Sequence, residues 1–336
     1  MLQIHRVILI DPDTYESSNL LGQDISALDV GKKKVRVQAK RLKSINSDVE
    51  IIPLAEPVEN VPLGRLRGKL LLACLDSLSA RQVVNRAALR LGIPWIDAGV
   101  RSEGLLARVD VYLPGAKRPC MECGWDDKNY SSLDQVLPCS KETAAPPTNA
   151  PSSLGALAAS LQAIECSKLL ADSPYRAEPG SQILVDAAHH NYYFTRFQWN
   201  PNCRLANHRP LAIEMLTKRP SEMVLGEAIG LGGLRYEQAR LKVEGKIFLL
   251  GLTCQGCGRR RSFVRLAAGQ RPNYVKCRRC KGSMLAGGFD TTERLELASL
   301  SSALLDRSLA SLGFRAGEVF SVSDGRREKH FELAGM

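Results

Sequence analysis

The sequence predicts an α/β fold: an open, mostly parallel sheet with helices on its faces, followed by a smaller C-terminal α+β domain. Three observations carry this expectation. Short apolar runs alternate with amphipathic segments over the first 210 residues; two of those runs end in an acid, Asp11 and Asp76; and the texture changes after Pro210, where mixed helix and strand surround two C-x-x-C pairs. A chain of 336 residues suits two domains, and 44% hydrophobic content is ample for their cores.

The elements follow in order. Residues 7–10 form an apolar run closed by Asp11-Pro12-Asp13, as expected of a buried parallel strand with a carboxylate at its carboxyl edge. Gly31-Lys32-Lys33-Lys34 opens a segment in which Val35, Ala39 and Leu42 recur at helical spacing. Residues 49–54 and 69–74 are the next strands, the second followed by Asp76. Residues 79–91 read as a helix with Val83, Val84, Ala87, Ala88 and Leu91 on its apolar face, and 94–100 and 105–113 as strands. Strand and helix alternating in this way imply right-handed crossovers, with ligands beyond the strand carboxyl ends. A proline-containing loop over 141–153 precedes an Ala/Leu-rich helix at 154–170 and a hairpin of 182–185 with 192–197. The first domain is placed at 1–210 and the second at 211–336, with a cysteine module at about 250–284 and a closing hairpin around Asp324-Gly325.

Several classes drop out. No run approaches the ~18 apolar residues of a membrane span, and the start lacks the pattern of a signal peptide, so the chain reads as cytoplasmic with no membrane partner. Ten cysteines in that setting point to metal ligands or nucleophiles rather than disulfides. Cys254 and Cys257, then nineteen residues, then Cys277 and Cys280 give the spacing of a four-cysteine zinc ribbon; a redox dithiol is the other reading, which a pair of knuckles opposes. Cys120 and Cys123 need distant partners, and Cys203 with His208, four residues lying between them, complete a set of three cysteines and one histidine unless His208 is a solvated loop residue. Asp11 suits a ribose and Asp76 a Mg2+ ion; taken alone each is more often a loop or helix-cap carboxylate, and Lys34 a solvated lysine.

The flanks of these acids carry a resemblance. The stretch from Asp11 to Gln23 (DPDTYESSNLLGQ), then Gly31-Lys32-Lys33-Lys34-Val35, then the stretch from Asp76 to Asn85 (DSLSARQVVN), keep the order and approximate spacing of a family pattern. The stretch Pro94 to Val100 (PWIDAGV), the Cys120/Cys123 pair, and the stretch Gln162 to Lys168 (QAIECSK) continue it. Over roughly residues 5–208 the chain resembles the ubiquitin-activating-enzyme-like family of ThiF, MoeB and HesA. The resemblance implies a Rossmann-like domain that uses ATP and Mg2+ to adenylate the C-terminal glycine of a ubiquitin-like or sulfur-carrier protein, with transfer to a thiol as a second step. It implies Asp11, Asp13, Asn19 and Lys34 on the nucleotide, Asp76 on Mg2+, Arg81 and Asn85 along the same edge, Zn2+ on Cys120 and Cys123, and a homodimer. Cys139, ahead of the 141–153 loop, stands where thioester-forming members carry their reactive cysteine; an ordinary thiol is the alternative.

Two features depart from the pattern. The family's opening G-x-G-x-x-G loop has no counterpart, because the chain begins at the second strand; the expectation is an amino-terminally truncated domain whose start codon lies inside a longer gene, with a non-catalytic, partner-binding scaffold as the alternative. Gly22 also stands where family members place a phosphate-binding arginine. The net charge of +11 is concentrated: nine Lys or Arg and no acid lie between Cys254 and Lys281. Nucleic-acid binding is one reading; docking to an acidic protein is favoured because only Phe263 and Tyr274 offer stacking surfaces.

Overall fold

The computed structural model describes residues 4–134, 150–171, 174–205, 208–231, 233, 238–268, 275–287 and 290–335. They form two compact units, Met1–Val58 with Gly68–Pro210 and Glu59–Arg67 with Leu211–Met336. Among the described residues no helix is long and apolar enough to cross a membrane.

In the first unit the chain runs β1 (Arg6–Ile10), α1 (Lys34–Ile45), β2 (Glu50–Leu54), β3 (Leu71–Ala73), α2 (Leu78–Leu91), β4 (Trp95–Arg101), β5 (Leu106–Tyr112), α3 (Asp127–Asp134), α4 (Ser152–Leu170), β6 (Ser181–Asp186) and β7 (Asn191–Arg196). Helix α2 starts where Ser77 leaves the strand path and its hydroxyl accepts the Ala80 N–H at 3.2 Å. It stops at Gly92, whose φ of 70° is left-handed and whose N–H returns to the last carbonyls. Helix α4 lies against β4 and β5 through Ala158, Gln162 and Cys166. The Gln162 amide donates to Ala73 O at 3.0 Å and Ile96 O at 2.9 Å, tying the helix to two adjacent strands.

The sheet corrects one expectation. β1–β2 and β3–β4 are parallel, but β4–β5, β5–β6 and β6–β7 are antiparallel, so the sheet is mixed rather than mostly parallel. For β4–β5 and β6–β7 the cause is connection length: a parallel return needs a crossover of about a dozen residues, and the turn between β4 and β5 is a tight one with Gly104 and Leu105 at positive φ, whereas β5 and β6 are antiparallel across the long connection that carries α3 and α4. The strands also fall into two sheets, β1–β2 and β3-β4-β5-β6-β7. Trp95 stacks on Tyr112 at 4.7 Å and Tyr112 on Phe197 at 5.7 Å, closing one side of the core beneath α2.

The second unit adds β8 (Ile213–Met215), α5 (Leu225–Gly230), β9 (Arg240–Val243), β10 (Lys246–Cys254), β11 (Arg260–Ala268), β12 (Val275–Lys276), β13 (Ser283–Leu285), β14 (Thr291–Thr292), β15 (Arg294–Glu296), β16 (Val319–Ser323) and β17 (Glu328–Glu332). One sheet has the order β15-β9-β16-β17-β8; the other runs β11-β10-β13-β12 with β14 on β10. Phe248, Leu312, Phe314, Phe320 and Phe331 centre the core. The short segment Glu59–Arg67 belongs here: Asn60 O accepts from Lys246 Nζ at 3.2 Å and Arg315 Nη1 at 3.1 Å, and Arg67 meets Glu332 at 2.5 Å.

Candidate functional site

Two strand ends carry the acids. After β1, one Asp11 oxygen accepts the Asp13 N–H at 2.7 Å, an Asx turn. Asp13 in turn holds the Lys34 ammonium at 2.9 Å in the first turn of α1. Burial works against the Lys34 charge, but the Asp13 hydrogen bond and the Asp13 and Asp11 charges outweigh it, so its pKa is raised and the ammonium is retained. Asn19 lies in the following 3-10 turn, where its Oδ1 accepts the Glu16 N–H at 2.9 Å. Asp11, Asp13 and Lys34 therefore belong to one polar corner above β1, while the side chain of Asn19 is engaged within its own turn.

After β3 the cap of α2 is Ser77, so of the two alternative readings of Asp76 the helix cap falls away and the exposed loop carboxylate stays. Behind it lies a buried charge lattice. Asp97 on β4 is 1% exposed, with Arg108 at 2.6 Å and Arg81 at 3.1 Å; Arg108 also meets Asp110 at 3.0 Å. Arg81 further donates to the Leu75 carbonyl, so it braces the β3–α2 turn. Burial pushes the Asp97 carboxyl up to about 6 despite both arginines, and Asp110 is raised for the same reason.

Asn85, expected along the nucleotide edge, is engaged on the cysteine-turn side of α2. Its side chain is fully buried, donating to Glu122 at 3.3 Å and accepting from Met121 N at 3.3 Å. Glu122, which sequence reasoning did not single out, sits between Cys120 and Cys123 and also accepts from Gln82, Arg86 and Tyr130, each at 3.1 Å. It fastens α2 to the cysteine turn. Its only sequence signal is an acid inside a C-x-x-C pair.

Cys120, Cys123, Cys203 and His208 converge, with one donor atom from each lying within 4.8 Å of the others. Cys120 Sγ is 3.9 Å from Cys123, 3.8 Å from Cys203 and 3.5 Å from His208 Nε2. A tetrahedron with Zn–S of about 2.3 Å has S–S edges of roughly 3.8 Å, so the donor set fits a tetrahedral ion. His208 Nδ1 donates to the Arg118 carbonyl at 2.6 Å, which fixes the ring and turns Nε2 toward the sulfurs. The hydrogen bond from Cys120 draws Cys123 down to about 5, while that same bond and burial push Cys120 up and burial pushes Cys203 up, so the geometry rather than the titration of these thiols speaks for a metal.

Cys254, Cys257, Cys277 and Cys280 make the second cluster, also within 4.8 Å. Backbone N–H groups of Cys280 and Arg279 lower Cys277 to about 6. Here Cys254 and Cys277 are buried while Cys257 and Cys280 are exposed. Cys139 lies outside the described residues.

A model of the ThiF family matches residues 1–205. Among relatives, ubiquitin-like modifier-activating enzyme 5 of Dictyostelium discoideum is 25% identical over 241 residues, 66% of this chain and 61% of that protein. The sulfur carrier protein ThiS adenylyltransferase of Bacillus subtilis (strain 168) is 36% identical over 123 residues, 35% of each chain. A crystal structure of E. coli MccB with ATP superposes with a TM-score of 0.47 at 22% identity, covering 60% of this chain and 59% of that one. The chain thus spans about three fifths or less of the length of these relatives.

Proposed function

The chain belongs to the ThiF family, and from that membership we propose that it takes part in ATP-dependent adenylation of the C-terminal glycine of a ubiquitin-like or sulfur-carrier protein. The observation that carries this reading is the pairing of the family match with an exposed, uncapped Asp76 at the carboxyl end of β3. In the proposed reaction the partner's carboxylate attacks the α-phosphorus of ATP, the bond to the β-phosphate oxygen breaks, and pyrophosphate leaves. Lys34 would meet phosphate oxygens, Asp11 and Asp13 the ribose side of the nucleotide with Asn19 beside them, and Asp76 a Mg2+ ion, which neutralises phosphate charge when bound. Arg81 is a positioning residue here, through the turn that presents Asp76. Cys139 is the thiol to test for a subsequent thioester.

The test is ATP–pyrophosphate exchange with each ubiquitin-like or sulfur-carrier protein of the same genome. It is run on this chain and on the longest reading frame that contains it. Exchange that depends on such a partner, and falls on the order of 100-fold in Asp76→Ala, supports the reading. Partner binding that is indifferent to ATP, with no exchange in either form, assigns the scaffold reading instead.

We also propose that both cysteine clusters hold structural Zn2+, the second as a zinc ribbon, since four protein donors leave no open position. Two zinc ions per chain are then expected. A thiol-directed mercurial should release the ion on Cys254, Cys257, Cys277 and Cys280 at least about tenfold faster, because two of those sulfurs are exposed whereas Cys120 and Cys123 are buried. Release in a single phase would contradict this.

A further inference from the structure

We propose that the rim of the second cysteine cluster is a docking surface for a protein partner that presents clustered carboxylates. The four sulfurs of this cluster lie within 4.8 Å of one another, so the backbones carrying them are drawn into one small module. Arg278 and Arg279 lie inside the second knuckle, Lys276 and Lys281 flank it, and Arg259 follows the first, its carbonyl accepting the Cys254 N–H at 3.0 Å. Strand β11 adds Arg260, Arg261 and Arg265. All eight are exposed. A zinc ion on four thiolates carries a formal charge of about −2 and Asp290 pairs with Arg260, so a surplus of about five positive charges remains on the module. The thiolates therefore do not account for the cations.

The set is mostly arginine, whose planar fork matches a carboxylate, and the module already shows the contact: Arg260 takes the Asp290 carboxylate at 2.7 Å. Arginine forks equally suit phosphate, so nucleic acid is the competing outcome of the test. Of the two aromatic residues between 254 and 287, Phe263 packs against the core formed by Leu252, Cys254, Cys277 and Met284, and Tyr274 lies outside the described residues. The inference stands on the second unit alone and does not depend on the adenylation reading.

The test uses the 336-residue zinc-loaded chain, a labelled 20-residue polyglutamate peptide and a labelled 11-base-pair duplex of about the same formal charge, with fluorescence anisotropy at 150 mM salt. Polyglutamate is expected to bind more tightly than the duplex. Its affinity should fall about tenfold or more in Arg261→Glu/Arg278→Glu/Arg279→Glu. A second variant, Arg261→Glu/Arg265→Glu, leaves the knuckles untouched and should weaken binding by at least about threefold while still carrying two zinc ions per chain. The control Lys32→Glu/Arg36→Glu/Lys40→Glu, in exposed positions of the first unit, should change affinity less than twofold. Equal loss in the control, no polyglutamate binding, or tighter binding of the duplex would each overturn the proposal, the last by assigning the surface to nucleic acid.

Discussion

Glu122→Ala is expected to lower the stability of the first unit by about 3–5 kcal/mol, measured as a shift of its chemical-denaturation midpoint. The carboxylate is fully buried and is the shared acceptor for Gln82, Asn85, Arg86 and Tyr130. Arg86 keeps water access at 38% side-chain exposure, so its charge is not stranded by the change. Asn85 and the Tyr130 hydroxyl are buried and lose a partner, each at about 1–3 kcal/mol, and a side-chain-sized void is added. Because Glu122 lies between two of the proposed zinc ligands, the variant should also lose the zinc of the first cluster to a chelator sooner, while the second cluster is unaffected. Glu122→Gln keeps the volume and part of the hydrogen bonding and should cost less. An unchanged midpoint in the alanine variant would mean that α2 is held to the cysteine turn by packing alone.

What the sequence disclosed and what it hid divide along a physical line. Periodicity and spacing are local, and they located β1, α1, β2, α2 and α4, both cysteine clusters, and Cys203 with His208 as candidate ligands. Strand direction between β4 and β5 was also legible, since the intervening turn is too short for a crossover, but the alternation of strand and helix upstream was extended across it. The site residues that were missed are special only through burial. Glu122 looks like a polar residue in a knuckle, and Asp97 like one acid in an apolar run, until four donors converge on the first and two arginines on the second. Asn85 was assigned by motif to a ligand edge, and only the packing of α2 on the cysteine turn shows where its amide is spent. The membership of Glu59–Arg67 in the second unit rests on contacts with Lys246, Arg315 and Glu332, which no local pattern announces.

Asp97→Asn is expected to change stability in the opposite direction, and to do so as a function of pH. The Asp97 carboxyl is raised to about 6 in the folded chain from 3.8 for the free group, with burial the largest cause. Between those values the folded state keeps a proton that the unfolded state has lost, so the contribution of Asp97 is fully present below about pH 4 and is lost as pH rises through about 6. The span corresponds to roughly 3 kcal/mol. Asparagine cannot ionise, so the variant should gain about that much on the parent chain between pH 4 and pH 7, read as the difference between two denaturation series; parallel curves would sink the argument. Stranding of charge does not reverse the sign, because Arg81 and Arg108 keep 18% and 34% side-chain exposure. The ionised Asp97 carboxylate stands between Arg81 and Arg108 and orders both. Arg81 is held between Asp97 and the Leu75 carbonyl, one residue before Asp76, so ionised Asp97 fixes the turn that presents Asp76. On the proposed adenylation reading, the form that supports ATP–pyrophosphate exchange should require more Mg2+ for half-maximal exchange when it carries Asp97→Asn, whereas the parent should approach that weakened behaviour only as pH falls below about 6.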